Sequence, residues 1–168
     1  GLGLKHISIS TSGYLLGLNK LLTMWPNIPI AISLNAAEDN LRTELMPINK
    51  KWPISKIIEA IKYINQVSAV PVLIQYVLIK GLNDRVEDAK KLCGLLKGLN
   101  VKVNLIPYNI IYTSSFVETP QLQDILTFYK VIKSEGIQVT LRFSKGSDIN
   151  AACGQLYYKK FLDDTLIS

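Results

Sequence analysis

The sequence predicts an α/β fold built on a mainly parallel sheet, and three observations carry that reading. Strand-like and helix-like patterns alternate along the chain, the strand segments are continuous apolar runs of the kind buried on both faces, and the polar residues gather just after them. At 168 residues the chain fits one domain spanning 1–168, since a domain takes roughly 100 to 200 residues.

The first strand is expected in "KHISIS", which alternates, and the first helix in "GYLLGLNKLLTM", where Leu15, Leu18, Leu21 and Leu22 have helical spacing. "IPIAISL" (28–34) follows as a β-branched strand, and "NAAEDNLRTELMPINKKWP" (35–53) reads as a polar loop. Ile57, Ile58, Ile61 and Ile64 then mark one helical face after Ser55 as cap. "PVLIQYVLI" is the third strand. "NDRVEDAKKLCGLLKGL" predicts a helix capped at Asp84 with Glu87 three residues on. "VKVNLIPY" is the fourth strand. "TPQLQDILTFYKVIKSEG" places Thr119 as N-cap, Pro120 at the first helical position and Gly136 just past the end, before "IQVTLRF" as a fifth strand. Five strands are too few for a closed eight-stranded barrel of about 250 residues, which leaves an open sheet or part of a barrel.

Composition excludes several classes. Hydrophobic residues make up 48% of the chain, yet no apolar run approaches the ~20 residues needed to span a bilayer, so no membrane segment is expected. The two cysteines, Cys93 and Cys153, form neither a disulfide framework nor a metal knuckle, which suits a reducing, cytoplasmic setting. A single histidine, His6, excludes a His-rich metal site and reads as a structural strand residue. The net charge of +6 permits a nucleic-acid partner without requiring one. The opening "GLGLKHISIS" lacks an initiator Met and enters a strand almost at once, as the interior of a longer protein would.

In parallel sheets ligands collect at the carboxyl ends of the strands. Those ends hold Ser10, Thr11, Ser12 and Gly13; Ser33 and Asn35; Lys80, Gly81 and Asn83; Tyr108 and Asn109; and Arg142, Ser144, Lys145, Gly146 and Asp148. Such a rim of hydroxyls, amides and a few cations suits a hydroxylated, partly anionic small molecule such as a nucleoside derivative, while caps and turns after strands account for the same residues. Cys93 lies on the apolar face of its helix and reads as packing. Cys153 sits between small residues with Arg142 and Lys145 near in sequence, a setting open either to packing or to a stabilised thiolate. Arg42, Lys50 and Lys51 beside Trp52 suit either a phosphate and base contact or a solvated face.

Five stretches together resemble the RlmN/Cfr family of radical S-adenosylmethionine RNA methyltransferases. They are "ISTSG" (9–13), "AISLNAAEDNLRTELMPINKKWP" (31–53), "YVLIKGLND" (76–84), "VNLIPYN" (103–109) and "GSDINAACGQL" (146–156). The resemblance implies a partial (β/α) barrel of radical-SAM type, of which this chain matches the carboxyl-terminal portion. It implies methylation of an adenine in large-subunit ribosomal RNA, and in some members of transfer RNA, with S-adenosylmethionine and an iron–sulfur cluster as cofactors and an electron donor for the cluster. Cys153 then corresponds to the cysteine that carries the methyl group. Ser10, Ser33, Leu34, Asn35 and Asn109 correspond to the S-adenosylmethionine contacts, although Asn35 stands where the family has histidine. The family's C-x-x-x-C-x-x-C cluster motif, its "GEP" segment and its second catalytic cysteine are not in these 168 residues. By this resemblance the chain alone does not start radical chemistry; the alternative is an inactive truncated homologue that binds S-adenosylmethionine or RNA.

Overall fold

The structure, a computed structural model, describes residues 7–108 and 118–142. Five parallel strands, β1 (Ile9–Thr11), β2 (Ile30–Ser33), β3 (Val72–Leu78), β4 (Val101–Pro107) and β5 (Gln138–Leu141), lie side by side in sequence order. Every crossover therefore steps in the same direction. Because such crossovers are right-handed, the helices are laid along one face of the sheet. That is the order of a barrel wall; a doubly wound sheet reverses direction partway.

The helices are α1 (Leu18–Met24), α2 (Asp39–Leu45), α3 (Ile54–Val67), α4 (Val86–Leu96) and α5 (Leu122–Ser134). The helical face of α3 buries Ile57, Ile61 and Ile64, and these join Ile30 and Ile32 of β2, Ile74 and Tyr76 of β3, Val103 and Leu105 of β4, and Leu92 and Phe128 from α4 and α5 in one core. The Tyr76 and Phe128 rings meet at 5.5 Å between centroids, which locks α5 onto β3. Cys93 is part of this core, and burial pushes its thiol above the ordinary range, so the packing expectation holds.

Several expectations need correction. Residues 35–53 are not a loop: they form α2 and a 3₁₀ turn at Pro47–Lys50. The segment hides because its helix is only seven residues long and, beside Leu45, its inward groups are Arg42 and, from the following turn, Asn49, which periodicity counts as polar. Ser55 does not cap α3; Pro53 occupies the cap, and the Asp39 carboxylate accepts the Ile54 N–H at 2.9 Å from another element. At α4 the cap is Arg85, whose backbone N–H is taken by Asp88 at 3.2 Å, while Asp84 closes the preceding turn by accepting Gly81 N–H at 2.8 Å. At α5 the cap is Gln121, two residues beyond Thr119, although Gly136 does follow the helix at φ 75°. His6 lies outside the described residues.

Candidate functional site at the strand ends

The carboxyl ends of β1 and β2 are drawn together by one buried side chain. Arg42 is 0% exposed. Its Nη2 donates to the Ser12 carbonyl at 2.8 Å and the Ser33 carbonyl at 3.2 Å, and Nε donates to the Leu34 carbonyl at 3.0 Å. Nη1 donates to Asn49 Oδ1 at 2.8 Å and reaches the Trp52 carbonyl at 3.4 Å. The planar guanidinium can satisfy so many acceptors at once because its five N–H groups are fixed in a fork. Burial lowers its pKa to about 10, with Asp39 pulling the other way, so it stays a cation at neutral pH. Arg42 is thus a rivet between strand ends, and neither a phosphate contact nor a solvated charge.

Gly13 makes the rivet possible. It has φ 103°, and a Cβ there would stand 2.9 Å from Arg42 Nη2 and 3.1 Å from Ile57 Cδ1. The same turn is closed by Thr11 Oγ1, which accepts the Tyr14 N–H at 3.0 Å.

A second knot forms at β2 and β3. Asn35 is buried with φ 59°, and its Oδ1 accepts the Val77 N–H at 3.0 Å. The fully buried Asn83 returns from the loop after β3, donating to the carbonyls of Asn35 and Val77, each at 2.7 Å, and accepting the Ile79 N–H at 2.7 Å. Asn83, read from sequence as a rim group, is therefore wholly engaged in holding the rim's shape.

Of the residues expected to contact a cofactor, the structure gathers Ser33, Leu34 and Asn35 at the end of β2. Leu34 buries its side chain completely, so only its backbone could meet a ligand. Ser10, exposed on β1, is in register with Ala31, two residues before Ser33, and so faces the same side of the sheet. Asn109 and Cys153 lie outside the described residues, as do Ser144, Lys145, Gly146 and Asp148. Lys50 and Lys51 are exposed. Lys80 pairs with Glu118; that contact raises the lysine and lowers the carboxyl, and both remain solvent-facing.

Sequence reading missed three groups. In register with Ser33 stand Gln75, Asn104 and Thr140, one from each following strand. Ser33 Oγ donates to Gln75 Oε1 at 3.3 Å, and Thr140 Oγ1 donates to Asn104 Oδ1 at 3.1 Å. Their signal was a polar residue inside an apolar run, Gln75 in "VLIQYVL" and Asn104, with Lys102 nearby, in "VKVNLIP"; only the register shows that they share one row. A cleft of about 740 Å³ on the helix layer, lined by Glu38, Asp39, Ser55, Glu59 and Lys62 among others, includes none of these residues.

The site offers hydroxyls, carboxamides and backbone groups, which fit a small molecule rich in hydroxyls and ring nitrogens such as the nucleoside part of S-adenosylmethionine. They do not fit an iron–sulfur cluster. Such a cluster takes several thiolates; the whole sequence has two cysteines, and no group of three His, Cys, Asp or Glu converges among the described residues.

A sequentially ordered parallel sheet with its polar groups at the strand ends is the architecture of a radical-SAM barrel portion, and solved structures agree. A radical SAM methyltransferase from Sphaerobacter thermophilus superposes with a TM-score of 0.86 at 37% identity, over 92% of this chain and 45% of that one. A domain of pyruvate-formate lyase-activating enzyme from Bacteroides vulgatus, 15% identical, shares the fold with a TM-score of 0.63 over 82% of this chain and 83% of that one. No family model matches the chain. Probable dual-specificity RNA methyltransferases RlmN do: that of Geobacillus kaustophilus is 42% identical over 164 residues, 98% of this chain and 45% of its own length. The relative named RlmN 1 in Protochlamydia amoebophila is 46% identical over 157 residues, 93% of this chain and 44% of its own. The chain is a homologue of the RlmN proteins, and it spans less than half the length of the curated relatives it matches.

Proposed function

We propose that this chain is the carboxyl-terminal, cofactor- and substrate-facing portion of a radical SAM methyltransferase that modifies an adenine of large-subunit ribosomal RNA, and of transfer RNA. The observation that carries the reading is the similarity to RlmN over 98% of the chain. The strand-end geometry supports it, because two of the segments that match the family's cofactor contacts, at the ends of β1 and β2, are tied together by Arg42.

S-adenosylmethionine supplies the methyl group. Ser10 and Ser33 offer hydroxyls to its ribose or amino-acid part, Leu34 offers backbone, and Asn35 and Asn109 offer amides. In this reading Cys153 is the thiol that carries the methyl group toward the base, and a thiolate there is the competent form. Cys93 is excluded from that role by its place in the core. The cluster's ligands lie outside these 168 residues, and the electron donor that reduces it is a separate partner.

The test joins this chain to the cysteine-triplet portion of a relative and measures RNA methylation under anaerobic conditions after loading iron and sulfide. Methylated adenine and an S-methyl group on Cys153 by mass spectrometry are expected from the joined protein, and neither from Cys153→Ala. The 168-residue chain alone should hold no stoichiometric iron. An S-methyl group on Cys93, or methylation that survives Cys153→Ala, would defeat the assignment.

A further inference from the structure

We propose that Gln75 and Asn104 bind the adenine ring of S-adenosylmethionine on the face of the sheet opposite the described helices. The inference rests on the reading above that this chain binds that cofactor.

The row Ser33, Gln75, Asn104 and Thr140 crosses four neighbouring strands at one level. It contains no charge. Both hydroxyls donate to the carboxamide oxygens, so the amide nitrogens of Gln75 and Asn104 are left with no hydrogen bond to any described residue. Asn104 is nevertheless 6% exposed. Its amide nitrogen is not among the sealed polar atoms that lack a partner, so this donor keeps access to solvent and is available to a ligand. A packed sheet would gain more from Val or Ile at these positions, as the alternate residues of β3 and β4 show: Val72, Ile74, Val103 and Leu105 are all buried.

The chemistry of the row selects its ligand. A carboxamide presents a donor and an acceptor side by side, the pattern that matches the N6 and N7 edge of adenine. The row supplies no cation to balance a phosphate. Beside it, Val77 and Ile106 form the next row in register, half-buried and apolar, a surface on which the flat ring can rest. Ser33, already among the residues that match the family's cofactor contacts, belongs to the same row, which assigns the adenine to the cofactor and not to the RNA.

Saturation-transfer NMR on the 168-residue chain with S-adenosylmethionine tests this, because it reports which protons of a weakly bound ligand touch the protein. Adenine H2 and H8 should be saturated strongly in the unmodified chain. In Gln75→Leu and Asn104→Leu, affinity should fall by at least roughly five-fold, the low end for a bidentate carboxamide contact, and the adenine signals should fall relative to those of the methionine part. Should either Leu variant lose its native circular dichroism, the near-isosteric Gln75→Glu and Asn104→Asp, which remove the N–H donors, should show the same fall toward S-adenosylhomocysteine, which lacks the sulfonium charge. Unchanged affinity and unchanged adenine saturation in the variants would overturn the inference while leaving cofactor binding intact. No saturation of any part of the ligand in the unmodified chain would remove the underlying reading and this inference with it. Loss confined to an adenine-containing RNA oligonucleotide, with S-adenosylmethionine unaffected, would overturn the assignment to the cofactor.

Discussion

Ile74 and Gln75 are neighbours in sequence and belong to different worlds. Ile74 is sealed between the sheet and the helices, while Gln75 stands half-buried on the opposite face in a row of uncharged polar groups. The difference follows from topology. When every crossover steps the same way, only one face of the sheet is closed by helices, and the other keeps side chains that packing alone would not select. The apolar core is concentrated on one face and the uncharged polar row stands on the other, while Arg42 ties the ends of β1 and β2.

Arg42→Ala should break that boundary and have the largest effect. It strands the Ser12 and Leu34 carbonyls and Asn49 Oδ1 in a buried site. Each lost partner costs on the order of 1 to 3 kcal/mol, so a loss of about 4 kcal/mol in urea denaturation is expected. Arg42→Lys should recover only part, because one ammonium cannot span acceptors on three segments. Burial lowers the guanidinium's pKa to about 10; both folded and unfolded forms are protonated below about pH 9, so the loss should be flat from pH 6 to 8.

Ile74→Ala against Gln75→Ala sharpens the contrast of faces directly. Removing Ile74 from the core should cost about 3 kcal/mol. Gln75→Ala should stay within about 1 kcal/mol, since it gives up a single 3.3 Å hydrogen bond from Ser33. Equal losses in chemical denaturation would mean that the second face is also a packed core, and the recognition argument would fall.

Much of this was legible from sequence because strand and helix patterns are local. The apolar runs revealed β2 to β5, the alternating "KHISIS" pointed to β1, which lies slightly later at Ile9–Thr11, and the Ile57–Ile61–Ile64 face revealed the longest of the described helices. What stayed hidden depends on partners far along the chain. Arg42 is indistinguishable from a surface cation until Ser12 and Ser33 are seen as its acceptors. Asp39 caps a helix that begins 15 residues later, a relation no capping motif encodes. Gln75 and Asn104 are isolated polar residues until register aligns them. The rim residues Ser10, Ser33 and Asn35 were found because strand ends are themselves a local feature, while the inner row needed the sheet.

Asp84→Asn should have the smallest effect and a distinctive pH dependence. Asp84 is buried at the turn before α4, and its carboxyl is raised above the ordinary range, chiefly by burial and further by the charges of Asp124 and Asp88, despite the Gly81 N–H at 2.8 Å. A raised carboxyl binds its proton more tightly in the folded chain than in the unfolded one. Its stabilising contribution is therefore present below the ordinary carboxylate range and is lost as pH rises through the folded value. Asparagine keeps an oxygen for Gly81 and carries no charge, so the variant should match the parent near pH 3 and exceed it at pH 7. Solvent screening should keep that gain under about 1 kcal/mol. Urea midpoints at both pH values decide the matter: a variant less stable at pH 7 than at pH 3, relative to the parent, would show that the ionised carboxylate is worth more to this turn than burial takes away.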